Sequence, residues 1–176
     1  MAKSPEKLQT RCVVAGGGPA GVMLGFLLAR AGVQVVVLEK YADFLRDFRG
    51  DTIYPSTLEL MHELDLLEEF LEQPHQELTE LRGVINGQTV PIADFSRLPT
   101  HCKFIAFMPQ WDFLNFLSSH AKHFPSFELR MEHEVTDLLT ENVDRRSSQS
   151  PAASRMAGCV DSTYASFHPS PRRHWS

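Results

Sequence analysis

Gly16, Gly18 and Gly21, with Pro19 and Ala20 between the last two, fit the spacing G-x-G-x-x-G, and Glu39 follows 18 residues after Gly21. Each glycine has a physical task if the segment holds a pyrophosphate. Gly16 permits a tight turn out of a strand, Gly18 lets the backbone come close to the phosphates, and Gly21 lets helix and strand pack closely. A helix that starts at these glycines aims N–H groups and a positive partial charge at the anion. A carboxylate at the end of the next strand accepts hydrogen bonds from a ribose diol. That carboxylate disfavours a 2′-phosphate, so the spacing predicts FAD or NAD at this site rather than NADP. The alternative phosphate loop, GxxxxGK[ST], is excluded because no Lys-Ser or Lys-Thr follows the glycines.

The surrounding elements must put these residues in place. Cys12–Ala15 is a short apolar run suited to a buried strand, the apolar segment after Gly21 reads as a helix to about Ala31, and Val33–Leu38 reads as a second strand ending on Glu39. Strand, glycines, helix, strand and acid in that order make the motif far more specific than the glycines alone.

Composition sets the outer limits. The chain has 176 residues, 43% hydrophobic and 22% charged, in the range of a globular domain with a real core. A net charge of −5 argues against nucleic acid as a partner. Three cysteines without metal or redox spacing suggest a reducing, cytoplasmic setting. Arg30 and Gln34 interrupt the best apolar stretch, so no membrane span is expected. His120 and His123 are spaced i,i+3, but no third metal ligand accompanies them.

Along the rest of the chain, Ser56 or Thr57 is expected to cap a helix carrying Leu58, Met61, Leu64 and Leu67, with a break near Asp65 and a stop at Pro74. Leu78–Asn86 and Thr89–Phe95 flank Asn86-Gly87 and predict a hairpin. A short extended run, Phe104–Met108, precedes a helix from Pro109 or Gln110. Phe127–Met131 and Val135–Leu139 read as strands returning to the sheet. The fold class expected is α/β with a β-hairpin excursion. The expected division is a flexible N-terminus over 1–10, a partial nucleotide-binding domain over 11–142, and a tail over 143–176. With eight serines, five arginines and three prolines, the tail is expected to lack ordered structure.

Two further segments, LRDFRGDTIYPSTLELMHELDLL and ADFSRLP…MPQWDFLNFL, make the chain resemble the FAD-dependent aromatic hydroxylases similar to para-hydroxybenzoate hydroxylase, over about residues 11–140. The resemblance implies a Rossmann-like FAD-binding domain of the glutathione reductase type, truncated here. It implies that Gly16, Gly18 and Gly21 hold the FAD pyrophosphate and Glu39 the adenosine ribose, with Lys40 near the ribose or adenine. Arg49 would lie near the flavin and its phosphates, Gln110 at the ribityl or phosphate portion, and the Val135 backbone at adenine. No catalytic side chain is implied. The resemblance also implies that NAD(P)H reduces FAD and that O₂ is then used to hydroxylate a small aromatic substrate. The second FAD motif of the family, a Gly-Asp pair, has no match among residues 143–176, so the chain by itself is expected to be incomplete as a catalyst. The alternatives are a non-catalytic dinucleotide-binding or interaction module, and another FAD oxidoreductase sharing only the glycine motif.

Overall fold

The computed structural model describes residues 10–45, 51–139 and 164–169. In chain order the elements are β1 (Cys12–Ala15), α1 (Pro19–Arg30), β2 (Val35–Leu38), β3 (Thr52–Ile53), α2 (Pro55–Glu63), α3 (Leu67–Leu71) and β4 (Gln76–Leu78). There follow β5 (Glu80–Ile85), β6 (Gln88–Asp94), β7 (Ile105–Phe107), α4 (Gln110–Ala121), β8 (Phe127–Arg130), β9 (His133–Leu139) and β10 (Tyr164–Pro169). The chain divides into two units, residues 1–44 with 117–176, and residues 45–116.

The first unit is built on a parallel sheet of order β1-β2-β8. Cys12 pairs with Val35 and Val35 with Phe127, so β2 is the central strand, and all four of its residues are buried. A strand covered on both faces reads as an unbroken apolar run, and VVVL is one. On one face lies α1, whose buried residues are Val22, Gly25, Phe26 and Ala29. At Gly25 an added Cβ would stand 2.6 Å from Val37 Cγ2 and 2.9 Å from Phe127 Cε2, which shows how tightly the helix is seated. Phe26 meets Phe124 edge to face at 5.7 Å. The other face packs Val36 and Leu38 against Val13 and Val135. The helix closes with a Schellman arrangement, in which the N–H of Val33 reaches the carbonyl of Leu28 and that of Gly32 the carbonyl of Ala29.

The returning segments divide. β8 joins the parallel sheet as expected, but β9 pairs antiparallel with β10 instead. The reversal comes at Glu132, which takes a positive φ of 58°. β10 also corrects the expectation for the tail. Tyr164–Pro169 is a strand, in register with His133–Leu139 and with a shift between Ser166 and Phe167. Its Tyr-Ala-Ser-Phe run has aromatic residues of strand character, and β9 supplies the backbone partners that composition cannot reveal. The remainder of 143–176 lies outside the described residues.

In the second unit, β3, β7 and β4 form an antiparallel sheet of order β3-β7-β4. The helix after β3 begins one step earlier than the expected cap. Tyr54 is the N-cap and Pro55 occupies the first helical turn, where its fixed φ suits the helix and its missing N–H costs nothing. Ser56 and Thr57 are therefore inside the helix. The break near Asp65 is present, with φ 60°, between α2 and α3. Phe70 of α3 packs edge to face on Phe113 and Phe116, at 5.8 and 5.3 Å.

The hairpin β5–β6 turns at Asn86 and Gly87, with φ 52° and 77°. Two consecutive left-handed residues are what a two-residue turn of matching twist requires. Gly87→Val places a β-branched side chain in that conformation and is expected to cost about 2 kcal/mol. A lowered denaturant midpoint at unchanged slope would register this.

Candidate functional site

The glycine turn links β1 to α1. Gly16 leaves the strand with φ 106° and donates its N–H to the carbonyl of Leu38 at 2.8 Å, which ties the turn to the end of β2. Ala15, Gly16, Gly18, Pro19 and Ala20 are exposed, while Gly17 is buried beneath them. The turn therefore presents backbone, not side chains, to the outside.

Gly18 is the N-cap of α1, with Pro19 in the first turn. No side chain caps the helix, and no acidic residue lies in its first turn. Helices of this length normally satisfy their first N–H groups with a Ser, Thr, Asp or Asn side chain. Here no side chain takes that role, and at such a start dipole and N–H donors act together on an anion. An ideal Cβ built on Gly18 meets nothing within 4 Å, so the space beside it is open. Gly21 is the opposite case, since a Cβ there would overlap the carbonyl oxygen of Gly16. The residues present thus fit a pyrophosphate: an open approach at Gly18, a close-packed seat at Gly21, and an uncapped helix start between them.

Glu39 lies at the end of β2 and is 7% exposed. Its Oε2 accepts the Gly17 N–H at 2.8 Å and its Oε1 the Tyr41 N–H at 3.1 Å. Its own backbone is held to the end of β8 and the start of β9, donating to the Arg130 carbonyl at 2.9 Å and accepting from the His133 N–H at 2.8 Å. The carboxylate is therefore anchored within the glycine turn. A carboxylate only accepts, at about four positions, and that chemistry suits a ribose hydroxyl. The contact with Gly17 was not expected from the sequence. Its one signal was a glycine at a position the motif leaves unspecified.

The remaining expected residues are distributed as follows. Lys40 is exposed, with Nζ 5.0 Å from the centre of the Tyr41 ring. Val135 packs below Val36 and Leu38, and its Cα partner in β10 is Phe167. Gln110 is the first residue of α4, half-buried, and belongs to the second unit. Arg49 lies outside the described residues. The structure thus brings Gly16, Gly18, Pro19, Ala20, Gly21 and Glu39 together with Lys40 beside them.

Other chemistry is sparsely provided for. Among the described residues no group of three His, Cys, Asp or Glu side chains could hold a metal. His120 and His123 lie edge to face at 5.9 Å. Burial raises the pKa of the Cys102 thiol, and the negative charges of Glu77 and Glu59 add to the effect, so the thiol stays protonated and a poor nucleophile. Among the described residues no helix is long and apolar enough to cross a membrane.

Residues 9–153 match the family model described as "FAD binding domain". The chain is 31% identical over 130 residues to 6-methylpretetramide 4-monooxygenase of Streptomyces rimosus, covering 74% of this chain and 31% of that protein. It therefore spans about a third of the length of this curated relative. Among solved structures, p-nitrophenol 4-monooxygenase from Pseudomonas putida DLL-E4 superposes with a TM-score of 0.65 at 26% identity, covering 75% of this chain and 34% of that one. The anhydrotetracycline hydroxylase of Streptomyces rimosus gives a TM-score of 0.63 at 32% identity, over 75% and 26% of the two chains.

Proposed function

The chain belongs to the FAD-binding domain family, and on that premise we propose that it holds the adenosine diphosphate end of FAD for a flavin monooxygenase that hydroxylates aromatic compounds. The observation that carries the reading is the uncapped start of α1 with open space beside Gly18, next to a buried carboxylate at the end of β2. Three relatives whose names or titles describe monooxygenases or hydroxylases support the reaction class.

In this reading the first unit is a Rossmann-like domain of the glutathione reductase type. The backbone N–H groups at the start of α1 hold the pyrophosphate, and Gly16 and Gly18 keep side chains out of its way. Glu39 accepts from the adenosine ribose, and its charge selects against a 2′-phosphate. Lys40 lies at the ribose or adenine side, the Val135 backbone meets adenine, and Gln110 and Arg49 serve the ribityl and phosphate portions. The flavin, when bound, supplies the redox and oxygen chemistry, with NAD(P)H as reductant, while the chain binds and orients it.

The test is direct. The purified chain, mixed with FAD and passed through a desalting column, is expected to keep a flavin absorption spectrum at one flavin per chain. Retention of NADH or NADPH with no retention of FAD would overturn the reading. Assays of NAD(P)H-dependent hydroxylation by the same 176 residues are expected to give little turnover, since the residues assigned here serve the nucleotide end of the cofactor. Well-coupled product formation would contradict that division of labour.

A further inference from the structure

A carboxylate as deep as Glu39 is costly unless its oxygens are hydrogen-bonded. The N–H groups of Gly17 and Tyr41 provide such bonds. A Cβ on residue 17 would stand 2.9 Å from Glu39 Cβ and 3.2 Å from Oε2, so the missing side chain is what admits the carboxylate. The contact joins two positions 22 residues apart and lies directly under the exposed backbone of the glycine turn.

We propose that Glu39 is a positioning residue for the phosphate-binding turn: by accepting the Gly17 N–H it fixes the backbone of Gly16–Gly18 in the shape that receives the pyrophosphate of an adenosine diphosphate group, in addition to accepting from the ribose. The inference rests on the cofactor reading above and goes beyond it in one respect. A residue assigned to the sugar also governs affinity for the phosphates, through a contact made within the protein itself. Gly17 N–H is committed to the carboxylate, which leaves the first turn of α1 as the source of donors for the anion.

Two probes separate the roles: adenosine 5′-diphosphate, and 2′,3′-dideoxyadenosine 5′-diphosphate, which has the phosphates but no ribose diol. Both are titrated calorimetrically into the full chain, and the Gly17 amide is followed by NMR without ligand. Glu39→Gln keeps the shape and removes the charge and one acceptor. The Gly17 amide is expected to exchange faster in this variant. Affinity for the dideoxy compound is expected to fall about tenfold, the loss of one charge-assisted hydrogen bond, and that for adenosine diphosphate to fall further. Gly17→Ala crowds the same contact from the other partner and is expected to weaken the dideoxy compound comparably, so it carries the test if Glu39→Gln does not fold. If both variants bind the dideoxy compound as the wild type does and only adenosine diphosphate is weakened, Glu39 acts through the ribose alone and the proposal is wrong. A wild-type chain that binds neither nucleotide overturns the cofactor reading and this proposal together.

Discussion

Gly18→Val is expected to weaken FAD binding by at least about a hundredfold while leaving the fold intact. Gly18 has φ −72° and ψ 179°, extended backbone that any L-residue adopts, and the space beside it is open. Nothing in the protein therefore resists the new side chain. The isopropyl group instead fills the approach to the start of α1 and holds an incoming phosphate away from its donors. Hydrogen bonds to a charged group are worth about 1.5–3 kcal/mol each, so losing two accounts for the expected change. Valine is a poorer N-cap than glycine, which costs about 1 kcal/mol and lowers the unfolding midpoint by about 2–4 °C. Fluorescence titration with FAD, alongside a thermal melt, checks both halves. Binding within about threefold of wild type would remove the phosphate site from this turn.

Three positions along, the same type of change should act by the opposite route. Gly21→Ala is expected to destabilise the chain by about 3 kcal/mol, since overpacking a rigid contact costs 1–3 kcal/mol and here the obstacle is backbone. The added methyl would overlap the Gly16 carbonyl oxygen, with the Gly16 carbonyl carbon at 3.1 Å and Val14 Cγ1 at 3.4 Å. No rotamer change relieves this. Helix α1 must move away from β1, and the turn that both elements define moves with them. FAD affinity should fall as well, but only together with a midpoint lowered by about 6–12 °C. A Gly21→Ala chain that melts with the wild type would show that the close seat of α1 on β1 is not required. The two variants together separate the glycine proposed to face the cofactor from the glycine packed on Gly16 and Val14.

The unit β1–α1–β2 is legible in the sequence because every signal for it is local: an apolar run, glycines at fixed spacing, Pro19 at the helix start, and a second apolar run ending on an acid. The hairpin is legible for the same reason, since Asn86-Gly87 dictates its own backbone. What escaped depends on partners distant in sequence. Gln76–Leu78 carries little strand signal and is a strand because β7 pairs with it. Val135–Leu139 has the pattern of a strand, yet nothing in the pattern says that its partner is Tyr164–Pro169 and not the parallel sheet. At the site, the motif marked Gly16, Gly18, Gly21 and Glu39 but left residue 17 open. Its role comes from a carboxylate packed against it, which only the folded chain reveals.

The order β1-β2-β8 also bears on how the chain emerges during synthesis. β2 and β8 are neighbours in the sheet, yet about ninety residues separate Leu38 from Phe127. At elongation rates of about 5–20 residues per second, the apolar edge of β2 waits roughly 5–20 s for its partner. During that interval VVVL is an uncovered, uncharged strand edge of the kind that recruits other chains. The segment in between, with its own helices and hairpin, must either fold first or be held clear. The turn between β1 and α1 thus emerges well ahead of β8, and the order β1-β2-β8 can form only once Phe127–Arg130 has left the ribosome.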